Sequence, residues 1–317
     1  MAGPRYTVII PMRHFQANEP ALVSLREAPL PAGSVQVLVA EGVHPARQRN
    51  AALALAQGEI IVFLDNDCTV DAGFWKELDA AFARPEVEIV GGPALLRVKA
   101  TSLEQIFHAL LTHVLIVGTV SARYAPRGKF CPATQTDLIM CNLAVRKSIF
   151  GKIGPLSTDL YPNEENEWLD RAHAAGIGAY YDPALQVSRP QRSTWGQMAR
   201  MLLRYGMGRT RQFWVSGWRP TFHQFLPVIL IATVVALFYW HLEMEFAVLW
   251  LAASVIIALS CDSRLRWRQR LVAGLAAPLI PLVYTVGQVV GWVALLFPTP
   301  NAKSGVVVFD GQGNRLG

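Results

Sequence analysis

An unbroken apolar run, Ile60-Ile-Val-Phe-Leu64, stops abruptly at Asp65-Asn66-Asp67. Its β-branched content and its lack of alternation predict a strand buried on both faces of a parallel sheet, which points the chain to an α/β fold. In open α/β sheets, ligands bind beyond the carboxyl ends of the strands. Asp65 and Asp67, one residue apart at such an end, offer hard oxygen ligands to Mg²⁺ or Mn²⁺, which in turn neutralises a diphosphate. A plain Asp-rich turn after a strand is the alternative reading of those two residues alone.

The surrounding pattern supports the α/β reading. Tyr6 to Ile10 reads as a first strand ending at Pro11, which cannot continue a central ladder. A modest helix over 19–25 and a loop over 29–33 follow. Val35 to Val39 is a second strand, with Glu41-Gly42 just beyond it, and a helix over 45–56 opens on Pro45. Strand–helix–strand with short connections predicts a right-handed, mostly parallel sheet with flanking helices. Pro11, Glu41 and Asp65 would then line one edge, where a nucleotide would lie.

Further motifs occur in order: Ala46-Arg-Gln-Arg49-Asn50-Ala, Val90-Gly-Gly-Pro93, Cys141-Asn142-Leu-Ala-Val-Arg146, and Asn163-Glu164-Glu165-Asn-Glu167-Trp-Leu-Asp-Arg171. Together with the Asp pair these resemble, over roughly residues 6–190, a family 2 glycosyltransferase with the GT-A (Rossmann-like) fold. The resemblance implies a nucleotide-sugar site at Pro11, Glu41, Arg49, Asn50 and Asp65. Asp67, with Asp65 beside it, would hold Mn²⁺ or Mg²⁺. The catalytic base would come from the Glu164-Glu165 pair, where Glu165 replaces the more usual Asp, so both carboxylates stay candidates. From the residues alone, this acidic stretch also suits a first helical turn capped by Asn163.

The segment 102–120 shows helical spacing in Leu103, Ile106, Phe107, Leu110, Leu111 and Val114, predicting an amphipathic helix. His108 and His113 on it are given no role. The basic loop from Arg123 to Pro132 is a candidate acceptor lining: Arg123 could meet a phosphate, and Lys129 reads as solvated. Asn142 and Arg171 join the acceptor-side set.

Composition identifies the rest. With 52% hydrophobic and 16% charged residues and a mean hydropathy of +0.28, the chain reads as partly embedded in lipid. Four cysteines show no Cys-x-x-Cys spacing, so reduced structural thiols are expected. The N-terminus lacks the apolar core of a signal peptide, placing the first domain in the cytoplasm.

Between Ser188 and Arg219 lie seven arginines (189, 192, 200, 204, 209, 211, 219) and no acid or lysine. Arg200, Arg204 and Arg211 fall on one side of a helical wheel and Trp195, Met198, Leu202 and Tyr205 on the other, which suits an interfacial helix on an anionic leaflet, broken at Gly206 and Gly208; Arg189, Arg200 and Arg204 join the acceptor and interface set. Gln197 and Arg200 match part of a Gln-x-x-Arg-Trp motif without its Trp, so processive polymerisation is not supported. Apolar runs over 225–240, 246–261 and 271–297 predict about three spans.

The expected layout is a catalytic domain over 1–190, an Arg-rich interfacial segment over 191–221 and a membrane region over 222–317. The acidic turn at Glu243 and Glu245 would face outward and the basic run from Arg264 to Arg270 inward; the third span carries Pro278 and Pro281, which allow a kinked or re-entrant segment, while a simple crossing would put the tail from Pro298 outside. The expected activity is transfer from a UDP- or GDP-sugar to a polyprenyl phosphate or lipid-linked glycan, at the inner membrane and with no nucleic-acid partner. A sugar nucleotidyltransferase would need a Gly-rich, Lys-bearing loop after the first strand, which Pro11-Met-Arg-His-Phe-Gln lacks. A non-catalytic scaffold would not need both acidic pairs.

Overall fold

The computed structural model describes residues 3–29, 35–216, 226–297 and 305–316. Arg219, Phe225, Pro298 and positions 30–33 of the expected loop lie outside them. In chain order the elements are β1 (Tyr6–Met12), α1 (Pro20–Glu27), β2 (Val35–Glu41), α2 (Pro45–Leu55), β3 (Ile60–Leu64), β4 (Thr69–Val70), α3 (Phe74–Phe82), β5 (Ile89–Gly91) and β6 (Ala94–Leu96). Next come α4 (Ser102–Thr112), α5 (Val114–Val117), β7 (Cys131–Pro132), β8 (Asn142–Arg146), α6 (Ser148–Ile153), α7 (Glu164–Ala174), β9 (Ala179–Tyr181) and β10 (Val187–Arg189). The last are α8 (Trp195–Val215), α9 (Leu226–Tyr239), α10 (Glu243–Ser260), α11 (Trp267–Ala276), α12 (Leu279–Ala294) and β11 (Val307–Asp310).

Two compact units result. The first comprises Met1–Arg97, Ala122–Pro190 and Asn301–Gly317. Its main sheet runs β11-β2-β1-β3-β8-β5-β9-β7, and a smaller one runs β4-β10-β6. β1 pairs in parallel with β2 and β3, whereas β8 is antiparallel to β3 and β5. Successive strand side chains alternate between two apolar layers. Val62 and Leu64 enter one cluster, while Ile61 and Phe63 enter the other. Burial on both faces explains why β3 reads as continuous hydrophobicity; truncating Phe63 to Ala would cost ~3–5 kcal/mol.

Two expectations need correction here. β1 continues through Pro11 to Met12, because its pairing with β3 stops at Ile9↔Phe63 and only β2 accompanies Pro11. The tail is not separated from the first unit: β11 pairs antiparallel with β2 through Val308↔Ala40 and Phe309↔Val39. A tail strand that closes the sheet of the first unit does not fit the expectation that the tail lies on the opposite side from that unit.

The second unit comprises Val98–Ser121 and Gln191–Pro300. The expected helix over 102–120 is broken at His113, with a bend of 64° between the segments on either side. Thr112 Oγ1 donates to the carbonyls of His108 and Ala109, back-bonding that weakens and bends a helix. Thr101 and Glu104 form a capping box at its start.

α8, by contrast, runs unbroken through Gly206 and Gly208. A Cβ at Gly206 would stand 2.1 Å from the Tyr284 carbonyl oxygen, and one at Gly287 would stand 2.3 Å from that of Leu203. The glycine therefore serves close packing of α8 on α12, and packing outweighs its poor helix propensity of about 1 kcal/mol. Met198 and Leu202 are buried on this helix while Arg200 and Arg204 are exposed.

Glu243 and Glu245 occupy the first turn of α10 rather than a separate turn, where the helix dipole favours them. Among the described residues, two helices are long and apolar enough to cross a membrane: Glu243–Ser260, and Trp267–Ala294, which joins α11 and α12. α10 exposes Val248, Leu249, Leu251, Val255, Ile256 and Leu259.

Candidate functional site

β3 delivers Asp65 and Asp67 to the carboxyl edge of the main sheet. The turn closes through a bond from the Cys68 amide to the Asp65 carbonyl at 3.1 Å. α2, on one face, carries Arg49, and α7 opens with Glu164, Glu165 and Glu167 in its first turn. Asn163 precedes α7 in a left-handed conformation at φ 88°. It caps no amide with its side chain; its Oδ1 accepts from Asn166 Nδ2 at 3.1 Å instead.

Arg49 joins the two acidic motifs. Its Nη1 donates to Glu164 Oε1 and its Nη2 to Asp65 Oδ1, each at 2.9 Å. Arg189, the last residue of β10, donates from Nη1 to Asp65 Oδ2 at 3.3 Å and from Nη2 to Asp67 Oδ2 at 3.0 Å. The antiparallel pairing of β10 with β4, through Ser188↔Thr69, puts Arg189 beside the Asp pair. Glu164, Arg49, Asp65, Arg189 and Asp67 thus form an alternating chain of charges. Charge-assisted bonds of this kind are about twice as strong as neutral ones; Arg49 and Glu164 are buried, while Asp65 and Asp67 stay partly open to water.

Glu164 is the most perturbed acid of the set. Burial first, then neighbouring Glu165, push its carboxyl up to about 7 against the opposing pull of Arg49. Its Oε2 is buried and has no hydrogen-bond partner among the described residues. Glu165 makes no hydrogen bond or ion pair among the described residues although its residue is buried. One carboxylate is therefore hydrogen-bonded to Arg49, while Glu165 feels Arg49 only through space.

The remaining expected site residues are distributed unevenly. Glu41 accepts from the Phe15 amide at 2.9 Å, and its Oε1 lies 3.8 Å from His14. Asn50 exchanges hydrogen bonds with the Leu156 backbone, and Pro11 sits within β1. Arg123 is buried, donating to the carbonyls of Thr136 and Gln135 and to Asn166 Oδ1 at 2.6 Å. Asn142 binds the carbonyls of Pro93 and Leu185. Arg171 pairs with Glu167 and the backbone of Pro155. These last three are committed to holding loops and strands. Arg200 and Arg204 belong to the second unit and Arg189 to the first.

Among the described residues no group of three His, Cys, Asp or Glu side chains could hold a metal. Both oxygens of Asp65 and one of Asp67 already accept from guanidinium groups. Asp67 Oδ1 has only a weak contact, Cys68 Sγ at 3.8 Å. That donor set fits a hard cation taking one carboxylate oxygen from the protein and its other ligands from a substrate diphosphate and water, the usual habit of Mg²⁺.

Residues 32–154 match the model of the family described as "Glycosyl transferase family 2". Among curated proteins nothing matches. Among solved structures the chain is similar to the mannosyltransferase PcManGT from Pyrobaculum calidifontis, in complex with GDP-Man and Mn²⁺. The TM-score is 0.55 at 18% identity, covering 93% of this chain and 88% of that one. S. aureus TarS aligns at 12% identity over 63% of this chain and 39% of its own, with a TM-score of 0.44. The matched segment, residues 32–154, is similar to family 2 glycosyltransferases, and the sheet around Asp65 has a GT-A-like α/β fold.

Proposed function

We propose that the protein transfers a sugar from a UDP- or GDP-linked donor to a membrane-associated acceptor, a polyprenyl phosphate or a lipid-linked glycan. The observation that carries this reading is the charged cluster at the end of β3, where Arg49 ties Asp65 to Glu164. It is supported by the second unit, whose apolar helices are long enough to cross a bilayer and explain why the acceptor would be a lipid. The similar mannosyltransferase carries GDP-Man and Mn²⁺, which agrees with a nucleotide-sugar and a divalent ion. The proposed setting is the cytoplasmic face of the inner membrane, with the first unit, including the tail strand β11, as the catalytic part, the arginine-rich segment 191–221 against the anionic leaflet and the apolar helices α10 to α12 in the bilayer.

In this reading, Asp67 holds Mn²⁺ or Mg²⁺ with Asp65 beside it, and the bound ion supplies charge neutralisation for the departing diphosphate. Glu41, Pro11, Arg49 and Asn50 line the nucleotide side. Glu165, which makes no hydrogen bond among the described residues, takes the proton as the acceptor oxygen attacks C1. The C1–O bond to the diphosphate breaks, the nucleotide diphosphate leaves, and the configuration inverts. Glu164, anchored on Arg49, holds the start of α7 in place; a phosphate acceptor, already ionised, would make less use of the base. Detergent-purified protein given a panel of UDP- and GDP-sugars, Mn²⁺ and membrane-lipid extract should release nucleotide diphosphate and yield a lipid-linked sugar. Silence with every donor would leave the non-catalytic reading standing.

A further inference from the structure

We infer that Arg189 is an exchangeable counter-ion for the Asp65/Asp67 pair, which makes divalent-metal binding depend on the arrival of the donor diphosphate. The inference rests on the metal-dependent reading above and adds a residue and a binding order to it. Arg189 bridges the two carboxylates, at 3.3 Å from Asp65 and 3.0 Å from Asp67, with its side chain only 15% exposed. Its guanidinium therefore lies on the carboxylates that would receive the ion.

The electrostatics of the exchange have a definite sign. A bare dication approaching Asp67 Oδ1 meets a carboxylate whose other oxygen is already paired, with the Arg189 guanidinium beside it and little water for that guanidinium to retreat into. Like charges at close range oppose one another strongly where burial lowers the dielectric. A nucleotide diphosphate alters both terms. It brings negative oxygens that can take the planar N–H fork of Arg189 in a bidentate pair, releasing Asp67 for the ion. Diphosphate and metal then bind cooperatively, and by linkage each raises the affinity of the other by the same factor. Arg49 does not substitute for Arg189, because it contacts Asp65 and Glu164 rather than Asp67.

Arg189 acts here through Asp67 and the diphosphate, as a positioning residue. The test measures Mn²⁺ binding to the full chain in detergent by electron paramagnetic resonance, first without nucleotide and then with GDP or UDP. Arg189→Gln should bind Mn²⁺ at least tenfold more tightly than wild type without nucleotide, and the strengthening produced by nucleotide should shrink. Arg189→Lys, which can hold one carboxylate but not fork between two, should fall between them and serves if the glutamine variant fails to fold. Unchanged or weaker Mn²⁺ binding in whichever variant folds would overturn the exchange. Asp67→Asn should abolish Mn²⁺ binding in either background. If Mn²⁺ binds neither wild type nor variant, even with nucleotide, the metal-dependent reading falls and takes the exchange with it. Equal binding to both removes the exchange alone.

Discussion

Arg49 and Glu164 lie 115 residues apart in sequence, yet they meet at 2.9 Å with side chains 5% and 4% exposed. The pair fastens the helix carrying the candidate base to the sheet edge carrying the aspartates. Removing one partner of such a buried pair strands the other charge, at about 3–5 kcal/mol. Arg49→Met should therefore lower the melting temperature sharply. Adding Glu164→Gln should recover part of the loss, and purely additive effects of the two changes would contradict the coupling.

Glu165→Gln and Glu164→Gln separate the two candidate bases. Glu165→Gln should retain nucleotide-sugar binding while losing transfer by on the order of 10²–10⁴-fold, the usual contribution of a general base. Glu164→Gln should lose less transfer and more stability. Single-turnover transfer beside donor-binding isotherms checks both; an active Glu165→Gln enzyme would move the role to Glu164.

Glu164 also predicts a pH dependence. Its folded pKa, about 7, lies above its ordinary value of 4.5, so the folded state holds the proton more tightly than the unfolded chain. Its contribution to stability is thus fully present below about pH 4.5 and lost as pH rises to about 7. The melting temperature of Glu164→Gln minus that of wild type should rise with pH across this window and level off above it. A flat difference from pH 4.5 to 8 would remove burial as the cause.

At Gly206 even one methyl group meets backbone atoms, 2.1 Å from the Tyr284 oxygen and 2.8 Å from the Gln288 nitrogen. Backbone on a neighbouring helix cannot step aside as a flexible side chain would. Gly206→Ala should cost ~1–3 kcal/mol through overpacking, although alanine has the better helix propensity. Thermal unfolding in detergent would read this directly, and a stabilised variant would contradict the packing.

The pairing of β11 with β2 predicts that the tail and the first unit share one side of any membrane. Cysteines introduced at Glu86 and Gln312, both exposed, should react with an impermeant maleimide from the same side of sealed vesicles, after the exposed Cys131 is replaced. Labelling from opposite sides would mean that the tail strand does not close this sheet.

Much of this architecture was legible locally. β1, β2 and β3 and the helices α1 and α2 could be read because burial imposes a period on neighbouring residues, whereas α3 and α6 were not expected. The acidic opening of α7 could be read for a similar reason, since a helix N-terminus favours negative charge. Tertiary structure decided what repetition could not encode. Arg189 reads in sequence as one more member of an arginine-rich stretch, and only the β4–β10 register brings it to Asp67, 122 residues earlier. Gly206 reads as a breaker until α12 is found against it, and the tail reads as lying beyond the last span until β11 is found on β2. Local sequence carries propensity and periodicity, whereas the partner of a charged or small side chain is set by contacts between segments far apart along the chain.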